Sequence, residues 1–160
     1  MSKQKIEIQF EVFDHLSELP AEIQNLMEKA QVARENAYAP YSHFRVGAAL
    51  LLLSGEVVSG NNQENAAYPS GLCAERVAVF AAGANFSNDP IIALAISARS
   101  EHQPTTEAIG PCGACRQSLA EYEQKQNSPI PIFFMGETGK INKVNSIADL
   151  LPFGFDAKNL

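Results

Sequence analysis

Cysteine and histidine are scarce in this chain, lysine and arginine form no dense run, and no apolar stretch is long; each shortage excludes something. The longest apolar run falls far short of the roughly 20 residues a membrane-spanning helix needs, so no membrane partner is expected. A net charge of -6 without a basic cluster gives no attraction to a phosphate backbone. A nucleic-acid partner is therefore disfavoured, while a neutral small molecule is compatible. Met1-Ser-Lys-Gln-Lys5 is basic, but Glu7, Gln9 and Glu11 come directly after it and no signal-peptide core forms, so a cytoplasmic location is the expectation. Three cysteines cannot all pair with one another, and without an export signal they are expected as reduced thiols on a metal. The chain has no internal repeat and no low-complexity segment.

What is present is a globular chain of 160 residues, 46% apolar, long enough to bury about two thirds of its unfolded surface as one domain. Ile6, Ile8, Phe10 and Val12 alternate with polar residues, which predicts an added edge strand over residues 6–12. Ile23, Leu26, Met27, Ala30, Val32 and Ala33 recur at helical spacing between Pro20 and Pro40, which predicts a helix over residues 21–37. Residues 45–53 are almost continuously apolar, a strand buried on both faces, and Ser54-Gly55 turns it into a return strand at 56–59. A loop over 60–71 leads to a helix over 73–84, with Gly83 read as its stop. A strand comes next over 91–98, then a helix opened by Pro111, a hairpin of 130–135 and 140–144, and a brief helix after the cap Ser146.

The expected fold is a three-layer α/β/α sandwich, an α/β class with a mixed, mainly five-stranded sheet plus the extra N-terminal strand. The order strand, helix, strand after Cys73 implies parallel central strands joined by right-handed crossovers, with hairpins supplying antiparallel neighbours.

Two motifs carry the chemistry: Cys73-Ala-Glu-Arg76 and Pro111-Cys112-Gly-Ala-Cys115-Arg116. The CxxC spacing lets Cys112 and Cys115 reach one metal from a single helical turn, and Cys73 is the remaining thiol. Three sulfurs leave one corner of a tetrahedral zinc open, where a water ionises near pH ~7 instead of ~15.7. Glu75, two residues after the first ligand, is placed to take that proton and deliver it onward. Both motifs open helices, whose N-termini offset the excess charge of three thiolates, and Arg76 can turn its guanidinium toward the same sulfurs. Rival readings stand beside these. The cysteines could form a closed structural zinc with His15, His43 or His102, and Glu75 could be a solvated first-turn residue. Phe44 and Phe155 could be core or interface residues, Asn62 and Asn65 could hold a turn, and Glu64 could be a surface charge.

Together the two motifs resemble the cytidine deaminase family, in particular its small, homotetrameric, three-cysteine branch. Tyr38-Ala-Pro-Tyr-Ser-His-Phe-Arg-Val-Gly-Ala-Ala-Leu50, Asn62-Gln-Glu-Asn-Ala-Ala-Tyr68 and Leu150-Leu-Pro-Phe-Gly-Phe155 resemble further blocks of it in the same order. The resemblance implies a zinc catalytic domain over residues 20–160 behind an N-terminal strand extension over residues 1–19. It implies one Zn2+ per subunit on Cys73, Cys112 and Cys115, with Glu75 catalytic and Arg76 tuning the zinc charge. Substrate contacts are implied for Asn62 and Glu64 on ribose hydroxyls, for Phe44 on the pyrimidine face, for Ala74, and for Phe155 reaching into a neighbouring subunit's site. Arg116 is a weaker candidate than Arg76, and His43 is either structural or substrate-gating.

The sequence departs from the family at Gln63, where an aliphatic residue is usual, at Gly110, where many members have serine, and in the extra strand. The implied reaction is hydrolytic deamination of cytidine and 2'-deoxycytidine to uridine and 2'-deoxyuridine, a step of pyrimidine salvage, with ammonia released. Deamination of another substrate such as blasticidin S, or of a nucleotide or tRNA, and a zinc-stabilised binding module without turnover are the alternatives. Basic residues for phosphate and a histidine in place of Cys73 would favour the nucleotide reading.

Overall fold

The three apolar runs are strands buried on both faces, and their alternation assigns each side chain to a layer. A computed structural model describes residues 1–160, all but the side chain of residue 159. Its elements are β1 (Glu11–Phe13), α1 (Ala21–Glu35), β2 (Phe44–Leu52), β3 (Val57–Asn61), α2 (Ala74–Asn85), β4 (Ile91–Ser100), α3 (Gly113–Gln126), β5 (Ile132–Met135) and β6 (Ile141–Val144). They build a six-stranded sheet in the order β1-β6-β5-β4-β2-β3. β4 and β5 are parallel, and every other neighbouring pair is antiparallel.

One face carries Ala48, Leu50, Leu52, Leu94, Ile96, Ile132 and Phe134 against Ala74, Ala78 and Val79 of α2 and Leu119 of α3. The other carries Ala49, Leu51, Ala93, Ala95, Phe133 and Met135 against Leu26, Met27 and Ala30 of α1. This is the expected three-layer mixed sandwich, with period-2 alternation resolving each apolar run into two cores. Among the described residues, no helix is long and apolar enough to cross a membrane.

The N-terminal strand is shorter than the alternation of residues 6–12 predicts. β1 pairs only through Glu11 with Lys143, Val12 with Asn142 and Phe13 with Ile141. Only three of the four residues of β6 are paired with β1, and Ile6, Ile8 and Phe10 lie exposed outside any strand. α1 ends at Glu35 and not at 37, because Asn36 and Ala37 bond three residues back, to Ala33 and Arg34, and tighten the last turn. Val32, counted with the apolar spacing, faces solvent.

Gly83 does not stop α2, which runs to Asn85. A Cβ there would lie 2.4 Å from the Tyr122 hydroxyl, so the glycine permits the close approach of α3. Gly47 does the same for α1: a Cβ would fall 2.0 Å from the Ala30 carbonyl oxygen and 2.4 Å from the Arg34 nitrogen. Both obstacles at Gly47 are helix backbone and cannot rotate away. Gly47→Ala is therefore expected to cost about 3 kcal/mol or more, read as a lowered denaturant midpoint. An unchanged midpoint would contradict this packing.

Candidate metal centre and substrate cleft

α2 and α3 share one face of the sheet, and each begins at a cysteine. Cys73 is the N-cap of α2 and Cys112 the N-cap of α3, both with extended backbone, and Cys115 lies in the first turn of α3. The three sulfurs lie within 4.8 Å of one another. Cys73 Sγ is 3.7 Å from Cys112 Sγ, which is 3.5 Å from Cys115 Sγ. Sulfurs at about 2.3 Å from a tetrahedral zinc are separated by about 3.8 Å, so the cluster has the size of a zinc site. Among the described residues, no imidazole joins it.

Electrostatics at the cluster derive from crowding three thiols. Cys73 is pulled down to about 5, first by its hydrogen bond with Cys115 and further by Arg76. Cys115 is pushed up by its bond to Cys73 and by burial. Arg76 Nη2 donates toward Cys73 Sγ at 3.9 Å, and its Nε is buried without a hydrogen-bond partner. Glu75 is 3% exposed, and burial raises its carboxyl above the usual range, with the Cys73 charge adding to the rise. Its own backbone N–H and the Cys115 thiol act against that rise. A buried acid beside a sulfur cluster is a group poised to carry a proton.

Beside the cluster lies a cleft of about 500 Å³ whose lining includes Tyr41, Ser42, Asn62, Glu64, Cys73 and Arg76. Glu64 accepts from Tyr41 N at 3.0 Å, from Ser42 N at 3.3 Å and from Ser42 Oγ. Burial raises its carboxyl, but these hydrogen bonds outweigh it and leave the group below its ordinary range. Asn62 accepts from Val46 N at 2.8 Å and donates to Phe44 O at 2.9 Å. One amide proton and one lone pair thus remain to it for other partners. Tyr41 and Tyr68, ring centroids 6.0 Å apart, stand exposed at the rim.

The description "Cytidine and deoxycytidylate deaminase zinc-binding region" belongs to the family model that matches residues 20–128. This chain is a member of that deaminase family. A cytidine deaminase of Halalkalibacterium halodurans is 39% identical over 137 residues, 86% of this chain and 96% of that protein. One of Sporosarcina psychrophila is 39% identical over 139 residues, 87% of this chain and 95% of that protein. The solved cytidine deaminase of Burkholderia pseudomallei superposes with a TM-score of 0.71 at 40% identity, covering 82% of this chain and 97% of that one.

For a member of the deaminase family, the cluster's donors fit its zinc: three sulfurs at tetrahedral spacing, and a buried guanidinium N–H beside them. The structure brings Cys73, Cys112, Cys115, Glu75 and Arg76 together, and puts Asn62 and Glu64 in the adjoining cleft. Ala74 is fully buried at the start of α2. Phe44 is half-buried at the head of β2. Phe155 lies outside this cleft, exposed, with its backbone bonded in both directions by the Gln117 side chain. Arg116 braces backbone, donating to Pro111 O at 2.8 Å and Leu150 O at 2.9 Å. Sequence reasoning missed Ser42 and Tyr41, whose amides hold Glu64; a polar loop before a strand carries no signal for such a bond.

Proposed function

We propose that the chain deaminates cytidine and 2'-deoxycytidine hydrolytically, giving uridine and 2'-deoxyuridine and releasing ammonia. One C–N bond breaks and one C–O bond forms. Zinc, when bound, makes a water acidic near pH ~7. Glu75 takes one proton from water and passes it to the ring nitrogen beside the amino-bearing carbon, then takes the second from the newly added hydroxyl and gives it to the departing amine, so one carboxyl serves as base and then as acid. Burial suits it to both tasks, since a raised pKa lets the acid form survive long enough to donate. Arg76 and the N-termini of α2 and α3 offset thiolate charge, keeping the metal electrophilic.

Asn62 and Glu64 take the ribose hydroxyls, Phe44 and Ala74 the base. Phe155, outside its own cleft, serves the site of a neighbouring copy in a homotetramer. The cleft favours a nucleoside over a nucleotide: among its described lining residues Arg76 is the cation, already turned to Cys73, and Glu64 would repel a phosphate.

The observation that carries the reading is the buried Glu75 beside three sulfurs and an adjoining cleft. The experiment is to add zinc-loaded protein to cytidine and track its ultraviolet absorbance. Loss of absorbance with stoichiometric ammonia is expected. Constant absorbance with zinc bound would make the chain a zinc-stabilised binding module.

A further inference from the structure

Directly after Tyr41 and Ser42 of the cleft wall comes a strained residue. His43 sits at φ +53, in the left-handed region that side chains with a Cβ rarely adopt. Such a conformation persists only where its surroundings fix it. His43 N donates to Ala39 O at 3.1 Å, and the other bonds come from one residue outside the cleft, Glu101, just past the end of β4. Its backbone N–H donates to His43 O at 2.9 Å. Its Oε2 lies 3.1 Å from His43 Nδ1, and its Oε1 accepts from Arg45 Nε. Arg45 Nη1 in turn donates to Glu35 O at 3.0 Å, at the end of α1. The His102 ring meets the His43 ring edge-on, with centroids 5.0 Å apart.

The turn at His43 lets the preceding two residues address the cleft while the next one starts a strand. On its near side, Tyr41 N and Ser42 N point at Glu64. On its far side, Phe44 N bonds back to Ser42 Oγ, and Phe44 O takes the Asn62 amide. Glu64 therefore hangs on a loop whose shape depends on the clamp behind it, while Asn62 is held by the first residues of β2 that follow.

We infer that Glu101 and His43 are positioning residues for the sugar-binding edge of the cleft, fixing the loop that orients Glu64 while touching neither substrate nor metal. This rests on the reading of the cleft as a nucleoside site. The chemistry at Glu75 lies apart from the clamp, so the loss should fall on substrate binding.

Steady-state cytidine deamination by the zinc-loaded protein tests this in Glu101→Ala, in His43→Asn, which tolerates the left-handed backbone, and in the double variant. Glu101→Ala is expected to raise KM about tenfold, the loss of one charge-assisted contact, with kcat within about twofold of the parent. His43→Asn should act in the same direction, and the double variant should be no worse than the weaker-binding single, as two halves of one clamp require. Glu101→Gln, which keeps an oxygen for Arg45, should recover part of the loss. An unchanged KM in Glu101→Ala or in His43→Asn, multiplicative effects in the double variant, or a fall in kcat as large as the rise in KM overturns the inference. A parent protein that converts no cytidine would overturn the nucleoside reading itself, which keeps the two failures distinct.

Discussion

In Glu75→Gln, turnover of cytidine falls by about 10²- to 10⁴-fold while zinc content is unchanged, because the amide keeps the shape and loses the proton. The side chain is 3% exposed, which leaves bulk solvent little access to take over its role. KM should move far less than kcat, since the lost function is exercised during the reaction and not in ground-state binding. Stability should move in the opposite direction to activity. Burial raises the Glu75 carboxyl above its ordinary range, so the ionised form is a cost that the folded state bears and glutamine does not. An unfolding midpoint equal to or above the parent's, with activity nearly gone, is the expected pair of results. Near-parental turnover would remove Glu75 from the reaction.

Stripping zinc with a chelator is the second large effect. Three sulfurs crowd together at 3.5 and 3.7 Å spacing, with Arg76 turned to Cys73. A divalent ion relieves that crowding and ties the N-terminus of α2 to that of α3. At a free zinc concentration about a thousandfold above Kd, binding stabilises the fold by about 4 kcal/mol. For a chain of this size that is about 8–16 °C in Tm. Activity should vanish with the metal and return on adding zinc. In Cys115→Ala, where a fully buried sulfur is lost, added zinc should restore neither activity nor Tm. A metal-free protein that melts at the same temperature and still converts cytidine would contradict the assignment.

Much of this was readable in the sequence because it rests on short-range rules. CxxC at a helix start requires only one turn of backbone, so Cys112 and Cys115 could be paired before any fold was known. The apolar run at β2 was legible as a strand covered on both sides, and β4 and β5 as strands, which the fold also covers on both sides. The limit of β1 was not legible, since it depends on pairing with a strand at the opposite end of the chain, where the last rung joins Glu11 to Lys143. Nor was the clamp. Glu101 and His43 are far apart in sequence and meet through the β2–β4 ladder, in which Phe44 faces Ser100. Asn62 was read as a ribose contact or a turn holder, and the fold spends half of its amide on the backbone of β2.

Zinc-edge X-ray absorption on the loaded protein tests the centre most directly. Three sulfurs at about 2.3 Å and one oxygen at about 2.0 Å are expected. A fourth sulfur, or the multiple-scattering signature of an imidazole, would close the fourth position and contradict a catalytic zinc beside Glu75.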